Sequence, residues 1–359
     1  MTYAYKEIIY RLMKNLYFFF SYKTLAKLIF IFLLSGCYNK PETQKKIHIS
    51  SSTKTEKISP ALRDSPIYEK KVPPSNLTDA LREGKNKKQH LMQEAILPYK
   101  RVVAFYGNLY SKKMGILGEI PKDQMLEKLQ VQAAQWSDAD PQTPVVPALH
   151  YIAITAQSNP GKDNKYRLRM SFSQIDTILK WANSINAIVF LDIQIGQSTV
   201  VEEVNTLNKY LRLSNVHLAI DPEFAMKKGE VPGTKIGTLS SADINEAVDI
   251  NEAVDILAKI VRENQLPSKI LVIHRFTKPM VTGYQNIKIC PEVQIVMNMD
   301  GFGSKELKRS SYRMAIYKEP VQFTGFKLFY KNDTRFNKSL YTPEEILKLT
   351  PIPIYIQYQ

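Results

Sequence analysis

Apolar runs of five to ten residues alternate with helical patterns along the second two-thirds of the chain. The first run covers residues 102–106, and a pattern with helical spacing follows over 122–136. The second run is 145–154, and its helix is 173–185, with Ser173 as the expected cap. The third run, 187–193, precedes a helix at 198–211. The fourth, 216–220, precedes one from about 241 to 263. The fifth, 269–274, is followed by a short helix near Lys278. The sixth, 293–299, leads into a helix over 305–317. The seventh is 323–330, and Pro343, Glu344, Glu345, Ile346 and Leu347 open the next helix. The eighth run, 354–358, lies at the end of the sequence. Mostly apolar runs separated by helical patterns predict parallel strands joined by helical crossovers.

Eight such units over some 250 residues are the size of a (β/α)8 barrel of the TIM type. An open doubly wound sheet is the competing architecture. It calls for a Gly-rich turn after the first strand, and here Gly107 is followed by Asn108, Leu109 and Tyr110, with no G-x-G-x-x-G. The predicted organisation is therefore residues 1–36 as an export signal, 37–100 as a flexible linker and 101–359 as the barrel domain. One internal repeat interrupts the pattern, in which residues 243–248 recur as 249–254. Six residues do not make whole helical turns, so it reads as a local duplication without function.

Composition changes the picture mainly before residue 101. The chain has 359 residues and a formal net charge of +15. Residues 1–100 hold 18 of the 49 Lys and Arg but only 8 of the 34 Asp and Glu. The remainder is nearly balanced, which argues against a nucleic-acid partner. Residues 38–100 are rich in Lys, Ser, Thr, Pro and Glu and poor in apolar side chains, the composition of a tether. A short helix within 77–97 is compatible with it and would pack on the domain. There are two cysteines, Cys37 and Cys290. Cys290, beside Pro291, reads as a buried small side chain.

Lys23 and Lys27 precede a seven-residue apolar run, 28–34, and Ser35, Gly36 and Cys37 follow. A basic flank, a short apolar run and small residues form a secretory signal, and the run is too short to span a bilayer. Leu34, Ser35, Gly36 and Cys37 resemble the lipobox of bacterial lipoproteins. That resemblance implies diacylation of Cys37, a membrane partner through the lipid, and residence in the bacterial cell envelope. The alternative is an uncleaved N-terminal anchor.

In barrels of this kind chemistry sits at the C-terminal strand ends. Polar residues fall there on seven of the eight strands: Tyr106, His150, Asp192 with Gln194, Asp221 with Glu223, His274, Asn298 with Asp300, and Lys327. Strand side chains alternate faces. Asp192 shares parity with Ile188 and Phe190, Asp221 with His217 and Ala219, and Asp300 with Asn298 and Val296, so all can point into one mouth. Each Asp alone reads equally well as a helix cap or a loop acceptor. Lys327 is expected to pair with Asp300 or Glu223. The basic stretch Lys305, Lys308, Arg309 and Arg313 reads as a solvated face.

The fourth strand end, His217 to Phe224, contains Asp221, Pro222 and Glu223. It resembles the Asp-x-Glu ending of chitinase-like and muramidase-like barrel glycosidases. The resemblance implies Glu223 as general acid and Asp221 as its helper, with Asp192 or Asp300 as the second carboxylate. The chitinase-like pattern also has acidic residues upstream, where this chain has Leu218 and Ala219. Residues 101–359 more broadly look like bacterial secreted proteins and lipoproteins that carry an Asp-Pro-Glu-Phe strand end. Tyr106, His150, Gln194, His274, Asn298 and Lys327 are the candidate substrate contacts. Tyr110, Trp136, Tyr151 and Tyr284 join Tyr106 as candidates to stack on sugar rings. His150, His274 and Asp300 could ligate a metal, but no His-x-His or His-Glu-x-x-His spacing supports this, so no metal and no cofactor is expected. The expected partner is polysaccharide, and a non-catalytic glycan-binding lipoprotein is the competing function.

Overall fold

The computed structural model describes residues 95–241, 249–335 and 338–359. The predicted export signal, Cys37, nearly all of the tether and the first copy of the repeat lie outside the described residues. A second unit, Tyr3–Ser65, lies wholly outside them as well.

Eight parallel strands form the centre: β1 (Arg101–Gly107), β2 (Val145–Ala156), β3 (Ile188–Ile193), β4 (Val216–Ile220), β5 (Lys269–Arg275), β6 (Val293–Met299), β7 (Phe323–Leu328) and β8 (Tyr355–Tyr358). Each pairs in parallel with the next, and β8 returns to β1 through Val102 opposite Tyr355. The sheet is thus a closed (β/α)8 barrel, and the open-sheet alternative is excluded. Closure leaves no unpaired strand edge in the ring.

The alternation of side chains divides the apolar residues into two cores. Val102, Ala104, Ala148, Phe190, Ala219, Ile270, Val272, Val296, Phe323 and Tyr355 fill the inside of the barrel. The other strand face, with Val103, Phe105, Leu149, Val189, Leu191, Leu218, Leu271 and Ile295, packs against the surrounding helices. Leu97, assigned to the tether from sequence, is buried in the inner core. Gln294 clamps it there, accepting from the Leu97 N–H at 3.2 Å and donating to the Leu97 carbonyl. The barrel's own packing therefore starts a few residues earlier than the predicted boundary at 101.

The helices are α1 (Lys122–Ala139), α2 (Phe172–Asn183), α3 (Val200–Thr206), α4 (Asp249–Asn264), α5 (Lys305–Tyr312) and α6 (Pro343–Ile346). Ser171, rather than Ser173, caps α2, its hydroxyl accepting from the Gln174 N–H. The predicted helix over 198–211 breaks at Leu207 into α3 and a single turn, Asn208–Leu211. α4 begins with the second repeat copy and buries Ile250, Ala253, Val254, Leu257, Ala258 and Val261, one apolar stripe at helical spacing. The expected helix near Lys278 is a single 3-10 turn, Lys278–Met280. No described helix is long and apolar enough to cross a membrane.

Candidate functional site

The inward parity of the strands carries polar residues as well as apolar ones, and near the C-terminal ends the barrel core changes from aliphatic to charged. Asp192 ends β3 in phase with Ile188 and Phe190 and is completely buried. His150 on β2 stacks on Phe190, with ring centroids 5.4 Å apart. Its Nδ1 lies 2.6 Å from the Tyr355 hydroxyl, and its Nε2 lies 3.4 Å from Asp192 Oδ2. His274 on β5 approaches the same Asp192 oxygen with Nε2 at 3.6 Å. The other nitrogen of His274, Nδ1, sits 3.1 Å from Asp300 Oδ2, just past β6. Asp300 Oδ1 is 2.9 Å from Lys327 Nζ, which lies 3.8 Å from the centre of the Tyr106 ring.

Amides tie this cluster to the mouth. Gln194 donates to Asp221 Oδ2 at 3.3 Å and to the Tyr106 hydroxyl at 3.5 Å, and accepts from the Ala156 N–H. Asn298 donates to Gln357 Oε1 at 3.3 Å, and Gln357 donates to the Tyr355 hydroxyl. Gly325 makes room for Asn298, because a Cβ there would stand 2.6 Å from the Asn298 Oδ1.

Burial and charge set the protonation. Burial pushes the His150 imidazole down to about 4, so it is neutral at pH 7. Burial opposes charging of His274 as well, but Asp192 and Asp300 outweigh it and raise that imidazole. Burial likewise disfavours the Asp192 anion, yet His274, His150 and Lys327 hold it below the usual carboxylate range. Asp221 is less well compensated. Burial, reinforced by Glu223, Asp300 and Asp192, pushes its carboxyl up to about 7 despite His274. The site therefore holds two carboxyls separated in acidity by their surroundings, Asp192 held low and Asp221 raised to about 7.

Of the residues predicted from sequence, Tyr106, His150, Asp192, Gln194, Asp221, His274, Asn298, Asp300 and Lys327 converge in this cluster. Glu223 stands at its edge, where its charge bears on the Asp221 carboxyl. It lies half-buried on the 3-10 turn Pro222–Phe224, where its N–H donates to Asp221 Oδ1 at 3.3 Å. Three of the proposed sugar-stacking aromatics lie elsewhere. Trp136 and Tyr151 belong to the core between strands and helices, with Trp136 Nε1 on the Tyr358 hydroxyl and Tyr151 on Gln174. Tyr110 is exposed and is not part of the buried cluster. Lys308 also departs from expectation: it is buried, 3.0 Å from Asp333, and it donates to the carbonyls of Gly301 and Lys327. Cys290 is partly covered, and burial pushes its thiol up to about 11. The sequence pattern alone did not single out Tyr355 and Gln357. They sit at alternate positions on β8, the one strand credited with no polar end, and the parity rule used elsewhere identifies them.

No protein-family profile matches this chain, and no curated protein matches it by sequence. Solved structures with a similar fold include the cellulase Cel5C_n, with 12% identity over 72% of this chain and 75% of that one, at a TM-score of 0.38. The Clostridial cellulose synthase subunit Z from Clostridioides difficile is similar over 73% of this chain and 91% of its own, with 10% identity and a TM-score of 0.37. The Bacillus subtilis mannanase man26 is similar over 76% and 85%, with 12% identity and a TM-score of 0.38.

Proposed function

We propose that this chain is a lipid-anchored envelope protein whose barrel hydrolyses polysaccharide by acid–base chemistry. One arrangement carries the catalytic part: two carboxyls share one buried cluster, where burial and neighbouring acids push Asp221 up to about 7 while His274, His150 and Lys327 hold Asp192 low. Glycoside cleavage needs a carboxylic acid to protonate the leaving oxygen and a second carboxylate to stabilise or attack the sugar. In this reading Asp221 is the acid, and the charge of Glu223, two residues on, helps hold that proton. The roles of acid and helper are thus exchanged relative to those implied by the strand-end resemblance. Tyr106, Gln194 and Asn298 are the contacts for sugar hydroxyls, and His274 holds Asp192 as an anion. The chitinase-like or muramidase-like kind is supported by the Asp221, Pro222, Glu223 strand end. Anchoring, and with it residence at the cell envelope, is supported by the Leu34 to Cys37 segment.

One observation favours the non-catalytic reading, a lipoprotein that binds glycan. Asp300 is already engaged by Lys327 and His274, and ion-paired carboxylates are the mark of structural duty. Reducing-end release from peptidoglycan, chitin and galactosaminan-type polymers decides between them. Turnover by the parent protein that disappears in Asp221→Asn, with unchanged far-UV circular dichroism, supports the enzyme. Glycan binding without release of reducing ends supports the binding protein.

A further inference from the structure

His150, Asp192 and His274 come from three different strands and 125 residues of sequence, yet their donor atoms all lie within 4.8 Å of one another. Asp192 Oδ2 is 3.4 Å from His150 Nε2 and 3.6 Å from His274 Nε2. Ligands about 2.0–2.2 Å from a tetrahedral ion are separated by about 3.3–3.6 Å, so both distances are those of neighbours on one ion. Neither contact has hydrogen-bond geometry, and both Nε2 atoms and both Asp192 oxygens are buried among the described residues; the Tyr106 hydroxyl also approaches Asp192. Buried polar atoms without well-formed hydrogen bonds are costly, and here four of them converge on one point.

The outer nitrogens explain why the inner ones converge. His150 Nδ1 is held by the Tyr355 hydroxyl, and His274 Nδ1 by Asp300. Tyr355 is held in turn by Gln357, and Asp300 by Lys327. A hydroxyl or carboxylate on the outer nitrogen fixes the tautomer and aims the other nitrogen, which is the arrangement found behind metal-bound histidines. Lys327 is a nearby cation that would repel an ion. Its charge is met by Asp300 at 2.9 Å and by the Tyr106 ring.

We propose that His150 Nε2, His274 Nε2 and Asp192 form a binding site for a divalent first-row transition metal, with zinc the best match to two imidazoles and one carboxylate. Three protein ligands, rather than four, are the pattern of zinc sites that keep a coordination position for water or substrate. The site shares Asp192 and His274 with the glycosidase reading, but metal binding is read without turnover, so the failure of one is distinguishable from the failure of the other.

The test uses purified full-length protein, stripped with chelator and then titrated with ZnCl2 and CoCl2. About one equivalent of zinc is expected to remain after gel filtration. Cobalt should give the d–d absorption of a four-coordinate site without a thiolate charge-transfer band. Asp192→Asn and His274→Gln should each weaken binding at least about tenfold. Retention of less than about a tenth of an equivalent by the parent protein overturns the proposal. So does unchanged affinity in a folded Asp192→Asn protein, or a cobalt–thiolate band that places the ion on Cys290. Should both variants unfold, the cobalt spectrum and stoichiometry of the parent protein decide alone.

Discussion

Lys327 Nζ stands 2.9 Å from Asp300 Oδ1, and both side chains are almost completely buried. Two charges removed from water are tolerable only together. Lys327→Met keeps the stem and removes the charge, leaving the Asp300 carboxylate to rely on its contact with His274. A loss of about 3–5 kcal/mol of unfolding free energy is expected, read from urea denaturation. The double variant Lys327→Met with Asp300→Asn should lose less than the sum of the single losses. Strict additivity would show that the pair is not a unit.

Leu97 is buried in the inner core and is held by both ends of the Gln294 amide. Leu97→Ala should cost about 2–5 kcal/mol, the cost of a cavity that a closed barrel cannot collapse around. A chain beginning at residue 95 should melt with the full-length domain, whereas one beginning at 101 should melt lower. Equal melting temperatures for the two would show that Leu97 does not support the barrel.

The barrel was legible because its strands are largely buried on both faces and read as mostly apolar runs, a pattern that amphipathic surface strands do not give. The polar ends were legible for the same reason. A charge at the end of such a run, in phase with Ile188 and Phe190 or with Ala219, has only the barrel mouth to occupy. What stayed hidden were pairings between strands. Nothing in the spacing of His150, Asp192 and His274 reports that β2, β3 and β5 place them around one point, since metal motifs are recognisable only when the ligands share an element. Trp136 and Tyr151 were misplaced because an aromatic ring has the same sequence signature in a core as in a sugar site. Lys308 was read as solvated because its partner, Asp333, is 25 residues away in a loop.

Cys37 is the expected acceptor of the lipid. Cys37→Ala should abolish metabolic palmitate labelling and leave the signal uncleaved, seen as a slower-migrating species. Undiminished labelling of the alanine variant would remove the anchor and, with it, the assignment to a membrane.

The acidity of Asp221 has a consequence for stability that does not depend on finding a substrate. Its carboxyl titrates near 7 in the folded protein, because burial and the charges of Glu223, Asp300 and Asp192 disfavour the anion. In the unfolded chain it titrates at the ordinary value of about 3.9. Between about pH 4 and pH 7 the folded state therefore holds a proton that the unfolded state has released, and stability falls as pH rises through this window. His150 contributes the opposite slope below about pH 6.5, since the folded protein resists protonating it until about 4. Lys269, with its ammonium pushed down to about 7 by burial, adds a rising slope above that pH. Asp221→Asn removes only the first contribution, so the other two cancel when the variant is compared with the parent. The comparison should favour Asn increasingly from pH 4 to pH 7.5. The total is about 2–4 kcal/mol, at roughly 1.4 kcal/mol for each pH unit between the folded and unfolded titration points. Urea unfolding of both proteins, stripped of metal with chelator, at pH 4.5, 6 and 7.5 measures it. A difference that stays constant across the three would mean that Asp221 is ionised throughout, and Asp221 could not then serve as the proton donor in polysaccharide cleavage.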